Sequence, residues 1–244
     1  MKSLGLIPAR FESTRFPGKP LVEIQGKSMI QRVFEQCKKC KLLSEVIVAT
    51  DDKRIFNHVL GFGGKAKMTG NHPTGTDRIA EVAREMTDFD IIVNIQGDEP
   101  FIQPEQIETV LSVFLENKNA SIVTGYRPLE KQEDIIDPNK VKILFGNTGR
   151  ALYFSRSPVP HVRGKYLKDW DHKHFFKHIG MYAFRRKTLL EITKLLPSRL
   201  EQLESLEQLR WLENGFEIHV VELPFDSLGI DTPEDLEAAI KIHK

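Results

Sequence analysis

Three cations lie close together near the amino end of this chain: Arg10, Arg15 and Lys19. They directly follow Leu4–Ile7, an apolar run with the length of a buried strand. In open α/β sheets, ligands bind beyond the carboxyl ends of the strands, which is where this segment lies. Arginine offers forked donors to phosphate oxygens, and lysine offers a compact positive charge. The spacing favours a cradle for a polyphosphate over the plainer alternative, a basic surface loop exposed to solvent.

Small residues separate these cations. Ser13 supplies a hydroxyl, and Gly18 lets a bound group approach the backbone closely beside the last cation. Pro8 is expected to end the preceding strand, because proline has no N–H to give to a central ladder. Three cations this close repel one another unless an anion lies among them.

Two carboxylates from distant segments could accompany the basic loop. Asp98 follows Ile91–Ile95, a buried strand, and is well placed there for a hard cation, although acids are also common in turns before proline. Asp231 directly precedes a helix start in which Thr232 is the expected N-cap and Pro233 the first helical residue. The helix start does not explain Asp231, which is left to face a ligand. Two carboxylates and a basic loop suit metal-assisted phosphoryl or nucleotidyl transfer.

Other polar residues lie where a second ligand could bind. The segment from Thr74 to Arg78 reads T-G-T-D-R, which could contact a base or sugar or could simply cap a helix. In F-F-K-H-I-G-M-Y, strand alternation places His178 and Tyr182 on one face. Within Leu200–Leu212, predicted as one helix, Glu207 falls inside the apolar arc and Gln208 outside it. Glu207 therefore needs a partner, either Arg210 or a ligand.

The elements that must position these residues alternate through the first half of the chain. Predicted strands lie at Leu4–Ile7, Glu45–Thr50, Ala66–Thr69 and Ile91–Ile95, and predicted helices at Met29–Cys40 and Lys53–Leu60, around Ile79 to Met86, and from Pro104. This alternation predicts an α/β fold with a mostly parallel sheet and helices on both faces.

The pattern changes after about Ala120. Four further strands are predicted, at Ser121–Tyr126, Lys140–Phe145, Ala151–Arg156 and Phe176–Phe184, with a hairpin turn at G-N-T-G. His161 to His174 is predicted to be a polar, solvent-exposed loop rather than a metal site, because its histidines are irregularly spaced and no cysteine or carboxylate frame accompanies them. The second half therefore indicates a mixed extension on the parallel core.

Composition bounds the function. The chain has 244 residues, 40% of them hydrophobic, with a net charge of +1, so neither nucleic acid nor a membrane surface is predicted as a partner. The amino end lacks an export signal, and no run is long enough to span a bilayer. Cys37 is predicted to be packed on the apolar face of a helix and Cys40 to be a bystander, rather than the two forming a zinc site or a redox pair. We therefore expect a cytoplasmic protein.

Two familiar nucleotide fingerprints fail. Gly26-Lys27-Ser28 resembles the end of a P-loop, but the required earlier glycine is Leu21. The segment G-F-G-G-K-A fits a dinucleotide motif by letters, yet it precedes a strand instead of following one. A nucleotide is therefore expected to bind through the basic loop.

Taken in order, the motifs resemble those of the 3-deoxy-manno-octulosonate cytidylyltransferases, or CMP-KDO synthetases. The matching stretches are I-P-A-R-F-E-S-T-R-F-P-G-K-P, V-A-T-D-D, G-T-D-R, I-Q-G-D-E-P, A-L-Y-F-S-R, H-I-G-M-Y, L-E-Q-L-R and I-D-T-P-E-D-L. The first and last are shared with other nucleotidyltransferases, whereas A-L-Y-F-S-R with L-E-Q-L-R is more specific. The chain departs from the family pattern mainly between Arg163 and His174.

The resemblance implies a Rossmann-like nucleotide-diphospho-sugar transferase fold in one domain, residues 1–244. The core would span about 1–125 and 200–244, and an extension at about 126–199 would form a homodimer. It implies Mg²⁺-dependent transfer of CMP from CTP to 3-deoxy-D-manno-octulosonate (KDO) for lipopolysaccharide biosynthesis, with release of pyrophosphate.

The resemblance also implies roles for individual residues. Arg10, Ser13, Arg15 and Lys19 would hold the CTP phosphates, and Thr76, Arg78 and Gln96 would lie on the cytidine side. Asp98 and Asp231 would hold the metal ion. Arg156, His178, Tyr182, Glu207 and Gln208 would bind the sugar acid. Lys19, Arg15, Asp98 and Asp231 are the predicted catalytic residues.

Alternatives remain at this point. The acceptor could be 8-amino-KDO or an acylneuraminate, and a glycosyltransferase of similar fold would use a sugar-nucleotide donor and release no pyrophosphate. A non-catalytic nucleotide-binding regulator should lack one of the metal carboxylates, yet both Asp98 and Asp231 are present.

Overall fold

The computed structural model describes residues 1–12, 16–226 and 229–242. Within them, the strands of one large sheet are β1 Ser3–Ala9, β4 Glu45–Thr50, β5 Ala66–Met68, β6 Ile91–Asn94, β7 Ile122–Pro128, β8 Lys142–Phe145, β9 Ala151–Ser155, β10 Phe176–Arg185 and β11 Ile218–Glu222. Their order is β11-β7-β10-β6-β1-β4-β5, and a hairpin of β8 and β9 joins the sheet through β10. Two short strands, β2 Glu23–Ile24 and β3 Lys27–Ser28, pair separately.

Helices cover both faces of the sheet. They are α1 Met29–Cys37, α2 Lys53–Gly61, α3 Gly75–Glu85, α4 Pro104–Glu116, α5 Arg186–Ile192, α6 Arg199–Glu204, α7 Gln208–Glu213 and α8 Pro233–Ile242. One core packs α1, α2 and α4 against the sheet, and the other packs α3, α5 and α7. The predicted α/β architecture is confirmed. No helix in the described ranges is both long and apolar enough to cross a membrane.

The sheet is parallel through β5, β4, β1 and β6, and β11 runs parallel to β7. β10 is the exception, because it inserts antiparallel between β6 and β7. The hairpin predicted at G-N-T-G is confirmed by the antiparallel pairing of β8 with β9. The mixed second half is therefore built onto the parallel core through β10.

The expectation that Pro8 ends the first strand is wrong. Pro8 lies inside β1 and is paired with Ala49 of β4. The carbonyl of Leu6 accepts from Ile95 N at 3.0 Å, so that Leu6 faces β6, and Pro8 faces the same side two residues later. The ladder between β1 and β6 ends at the pair of Leu6 with Asn94. The missing N–H of Pro8 therefore costs no ladder hydrogen bond.

The single helix predicted over Leu200–Leu212 is also wrong. Ser205, with a left-handed φ of 51°, ends α6, and α7 begins three residues later. Leucines at every third position drift around one helix, and the break lets Leu209 turn into the core while Leu203 stays 69% exposed.

The segment from His161 to His174 packs more than expected of a solvated loop. Trp170 stacks on Phe175 with ring centroids 5.5 Å apart, and both belong to a small separate core with Leu129 and Ile135. No group of three or more potential metal ligands is found in the described part of the chain, these histidines included.

Candidate active site

A cleft of about 860 Å³ opens where β1 and β6 end. Its walls come from the segments that follow these strands, from the start of α2 and from the turn before α3. The lining residues include Arg10, Phe11, Glu12, Lys19, Arg54, His72, Thr74, Gly75, Arg78, Gln96, Gly97, Asp98 and Asp231. The strand ends thus gather Arg10 and Lys19 of the predicted basic loop and both predicted carboxylates into one cavity.

Lys19 joins the two carboxylates. Its Nζ donates to Asp98 Oδ2 at 2.8 Å and to Asp231 Oδ1 at 3.0 Å. Its side chain is only 13% exposed. Burial lowers the pKa of Lys19, but the charges and hydrogen bonds of Asp98 and Asp231 outweigh it, so that the pKa is raised. The amine is therefore a fixed positive charge at the edge of the sheet.

Local structure directs Lys19 and Asp231 to this point. Gly18, with a φ of 72°, turns the chain so that a short 3₁₀ turn at Lys19–Leu21 follows. The backbone N–H groups of Asp231 and Thr232 donate to Asp235 Oδ2 at 3.0 and 2.9 Å. The predicted cap of α8 is present, since Asp235 N donates to Thr232 Oγ1 at 3.2 Å. The helix start thus uses the side chains of Thr232 and Asp235 and leaves the Asp231 carboxylate to the cleft.

The two carboxylates suit a magnesium ion. Both have an oxygen within 3.0 Å of one nitrogen, so that both can approach a single cation. Magnesium is commonly held by one or two carboxylates together with substrate phosphates, rather than by an all-protein cage. A two-carboxylate site open to a cleft fits that pattern.

The basic loop is only partly described. Arg10 lines the cleft, as predicted. Ser13 and Arg15 lie outside the described residues. Arg54 was not predicted, yet it lines the same cleft with its guanidinium 3.3 Å from the ring centre of Phe11, where a cation–π contact holds it.

The three residues predicted on the cytidine side differ in their contacts and in whether they line the cleft. Arg78 is buried and lines the cleft, where it donates to Thr69 Oγ1 at 2.6 Å and pairs with Asp51 at 2.7 Å. Gln96 also lines the cleft and donates to the carbonyl of Gly180 in β10 at 2.8 Å. Thr76, in contrast, is buried with its hydroxyl turned away onto Glu207.

Glu207 contacts two threonines at the start of α3. Its Oε2 accepts from Thr76 Oγ1 at 2.7 Å, and its Oε1 lies 3.2 Å from Thr74 Oγ1. Burial raises the pKa of Glu207. The alternative partner, Arg210, instead forms a forked pair with Glu201. The acid in the apolar arc is thus paired with hydroxyls rather than with a cation.

His178 and Tyr182 lie together, as predicted, with ring centres 5.3 Å apart. Thr124 has one hydroxyl hydrogen, and Met181 O lies 2.8 Å away to accept it. His178 Nε2, 2.9 Å from the same hydroxyl, is then the donor. Burial lowers the pKa of His178 to about 3, so that the ring is neutral at pH 7. Tyr182 Oη and Asn94 Oδ1, on paired positions of β10 and β6, are buried without a hydrogen-bond partner in the described ranges.

Arg156 is tied to backbone carbonyls, and Gln208 is buried. The Arg156 guanidinium donates to the carbonyls of Glu204, Pro138 and Ser205 at 2.7, 2.9 and 3.3 Å. Gln208 is 6% exposed, although it was predicted to lie off the apolar arc. None of the five predicted acceptor residues is among those that line the cleft. Glu207 contacts the lining residue Thr74, and Gln96 in the cleft contacts Gly180 of β10, the strand that carries His178 and Tyr182.

The cytidylyltransferase family model matches residues 4–218. The 3-deoxy-manno-octulosonate cytidylyltransferase of Parabacteroides distasonis is 51% identical over 98% of this chain and 97% of its own length. The enzyme of the same name from Cytophaga hutchinsonii is 50% identical over 96% of this chain and 94% of its own length. The chain belongs to the 3-deoxy-manno-octulosonate cytidylyltransferase family.

Solved structures agree with this family. A CMP:2-keto-3-deoxy-manno-octonic acid synthetase complexed with CTP superposes with a TM-score of 0.92, at 40% identity over 100% of this chain and 98% of its own. The 4-diphosphocytidyl-2C-methyl-D-erythritol synthase of Anaerococcus prevotii superposes with a TM-score of 0.65 at 14% identity, over 99% and 98% of the two chains, which shows a shared fold alone. The predicted Rossmann-like cytidylyltransferase fold is confirmed.

Several site residues were missed from the sequence. Arg54 and Asp51 follow β4, which also ends at this edge of the sheet, and the rule that ligands bind beyond strand ends could have found them. Asn94 was recoverable as the polar residue that closes the apolar strand β6. His72, which lines the cleft and pairs with Glu81, carried no such signal.

Proposed function

We propose that this member of the cytidylyltransferase family transfers CMP from CTP to the anomeric hydroxyl of KDO and releases pyrophosphate. The observation that carries the proposal is the convergence of Lys19, Asp98 and Asp231 in one cleft, on a chain about half identical to enzymes named for this reaction. The KDO hydroxyl would attack the α-phosphorus in line with the departing pyrophosphate. No covalent enzyme intermediate is needed, so catalysis consists of positioning and charge neutralisation.

Asp98 and Asp231 are the residues that would hold a magnesium ion. When bound, the ion would neutralise charge on the triphosphate and on the leaving pyrophosphate. The two carboxylates come from segments already tied together, since Ile230 N donates to Asp98 O at 2.9 Å. This hydrogen bond supports a site that is preformed before the substrates arrive.

Cations of the loop after β1 would hold the triphosphate. Arg10 and Lys19 reach the cleft, and we assign Ser13 and Arg15 to the same task from their position in the motif. Lys19 is well placed to stabilise the charge that develops on the phosphates, because its side chain is nearly buried and lies between two acids.

The base and ribose would lie along α3 and β6. Arg78 and Gln96 line that part of the cleft with side chains already held by protein partners. Side chains locked in this way lose little rotamer entropy on binding, which favours a defined pose for the nucleotide.

The sugar acid would bind behind this position. Arg156, His178, Tyr182 and Gln208 would donate to the carboxylate and hydroxyls of KDO, and Glu207 would accept from a hydroxyl. His178 is neutral and donates through Nε2 to Thr124, so that its Nδ1 remains an acceptor. The buried, unpartnered Tyr182 hydroxyl supports a polar occupant of this region.

We further propose a homodimer built through the second half of the chain. Leu152 on β9 and Leu196 before α6 are 65% and 84% exposed, and large apolar side chains at the surface often mark interaction sites. The chain would be one nucleotidyltransferase domain, with its core at about 1–125 and 200–244 and its dimerisation extension at about 126–199. We propose the cytoplasm as its location, because CTP is the donor and both cysteines are free thiols.

A pyrophosphate-release assay tests the proposal. The four nucleoside triphosphates are each offered with KDO, 8-amino-KDO and N-acetylneuraminate in the presence of Mg²⁺. We expect release with CTP and KDO and little with the other pairs. Pyrophosphate release only with N-acetylneuraminate would reassign the acceptor. Turnover of a sugar nucleotide without pyrophosphate release would indicate a glycosyltransferase.

A further inference from the structure

Glu207 connects two parts of the site that are far apart in the sequence. It stands at the start of α7, on the acceptor side, while both of its hydrogen-bonding partners belong to the start of α3 on the nucleotide side. Thr74 is the N-cap of α3 and lines the cleft together with Gly75. Glu207 therefore contacts the segment that shapes the nucleotide wall.

The two contacts differ in strength. The Thr74 hydroxyl has one hydrogen, and Asp77 Oδ2 at 2.8 Å competes for it with Glu207 Oε1 at 3.2 Å. The Thr76 hydroxyl lies 2.7 Å from Glu207 Oε2 and is buried. Thr76 is thus the firmer link between α3 and α7.

The link has a mechanical consequence. Thr76 is in the first turn of α3, directly after Thr74 and Gly75, which line the cleft. A shift of that turn would move the nucleotide wall without changing any residue that lines it. A carboxylate near a helix N-terminus also interacts favourably with the free backbone N–H groups of the first turn.

We propose that Glu207 is a positioning residue for the nucleotide: by holding the first turn of α3, it sets the affinity for CTP before any acceptor binds. The inference rests on the proposed function only in taking CTP as the occupant of the cleft. It gives Glu207 a task that contact with the sugar acid alone would not require.

The test measures CTP affinity by calorimetry with Mg²⁺ present and KDO absent. Glu207→Ala should weaken CTP binding about tenfold, as expected for the loss of a charged hydrogen bond. Glu201→Ala is the matched control, because it removes a carboxylate of α6 that pairs with Arg210 and does not reach α3. The control should lower the melting temperature and leave the CTP Kd within about twofold.

A second variant keeps the test decisive if Glu207→Ala folds poorly. Thr76→Val preserves shape and removes only the hydroxyl, and it should weaken CTP binding several-fold. In the double variant the two effects should not add, because both remove the same contact. Folded variants that bind CTP like the wild type but raise KM for KDO would overturn the inference. A wild-type protein that binds CTP but releases no pyrophosphate would instead refute the proposed function and leave this comparison intact.

Discussion

The ammonium of Lys19 lies 2.8 Å from the carboxylate of Asp98, and the same nitrogen reaches Asp231 at 3.0 Å. A single positive charge thus lies between the two acids that would hold a divalent cation. A divalent cation held by the same two acids would lie close to the Lys19 ammonium, and two cations so close repel strongly in a partly buried site. Phosphate oxygens are an alternative partner for Lys19, so that the nucleotide and the metal ion should favour each other's binding.

This relationship predicts the metal affinity of the free protein. Lys19→Met should bind Mn²⁺, a spectroscopic substitute for Mg²⁺, at least about tenfold more tightly than the wild type when no nucleotide is present, because the competing charge is gone. Electron paramagnetic resonance of free Mn²⁺ measures this directly. Lys27→Met is the control, since Lys27 pairs with Glu35 at the surface. Equal Mn²⁺ affinity in all three proteins would contradict the argument.

The carboxylates themselves should be essential to turnover. Asp98→Ala and Asp231→Ala should each lower kcat by at least about 10²-fold, the scale of losing a main electrostatic stabiliser. Both variants should keep the fold, because neither side chain belongs to the apolar cores. Asp88→Ala, at an exposed position, serves as a control for the assay. Near-normal turnover of either variant with Mg²⁺ supplied would refute the metal assignment.

Lys19 should also contribute to CTP use. Lys19→Ala should lower kcat/KM for CTP by the equivalent of about 2–4 kcal/mol. Lys19→Arg should restore only part of it, because a planar fork does not replace a compact point charge between two acids. A loop that is merely basic and solvated predicts a change within about 0.5 kcal/mol, and kcat/KM distinguishes the two.

The parts of the fold that were predictable from the sequence were those with strong periodicity. The bounds of β4 match the prediction residue for residue, and the start of α4 at Pro104 follows from proline's place in a first turn. Ser205 was not predictable as a break, because its left-handed φ depends on how α6 and α7 pack. The prediction for Pro8 was wrong because β6, the strand on that side of Pro8, stops pairing with β1 at Leu6. Where that ladder ends depends on the sheet and not on the sequence around Pro8.

The candidate site also contains some residues that were predictable from the sequence and others that were not. Four of the predicted residues line the cleft: Arg10, Lys19, Asp98 and Asp231. They were predictable because each follows a strand or precedes a helix, and such positions can be recognised in a sequence. The contact of Glu207 with Thr76 could not be predicted from the sequence, since the two residues are 131 positions apart. Periodicity gives a side chain's direction on its own element, whereas its partner depends on tertiary packing.

Protonation of His178 should destabilise the fold. Burial lowers its pKa from 6.5 to about 3, so the unfolded chain binds a proton between these values and the folded chain does not. Stability is therefore lost as the pH falls through this window. Between about pH 6.5 and pH 5 the loss should be about 1.6 kcal/mol. Urea unfolding of the wild type and of His178→Gln at both values measures it, and equal losses in the two proteins would contradict the assignment.

The residues proposed to bind the acceptor should affect one substrate and not the other. Arg156→Ala and Gln208→Ala should raise KM for KDO or lower kcat, and should leave CTP binding without KDO nearly unchanged, because neither residue lines the nucleotide cleft. Arg156→Ala should also lower the melting temperature, since its guanidinium donates to three backbone carbonyls. The decisive comparison is Arg156→Lys, which keeps the charge but not the fork. If stably folded Arg156→Ala and Gln208→Ala both bind KDO normally, the sugar-acid pocket lies elsewhere.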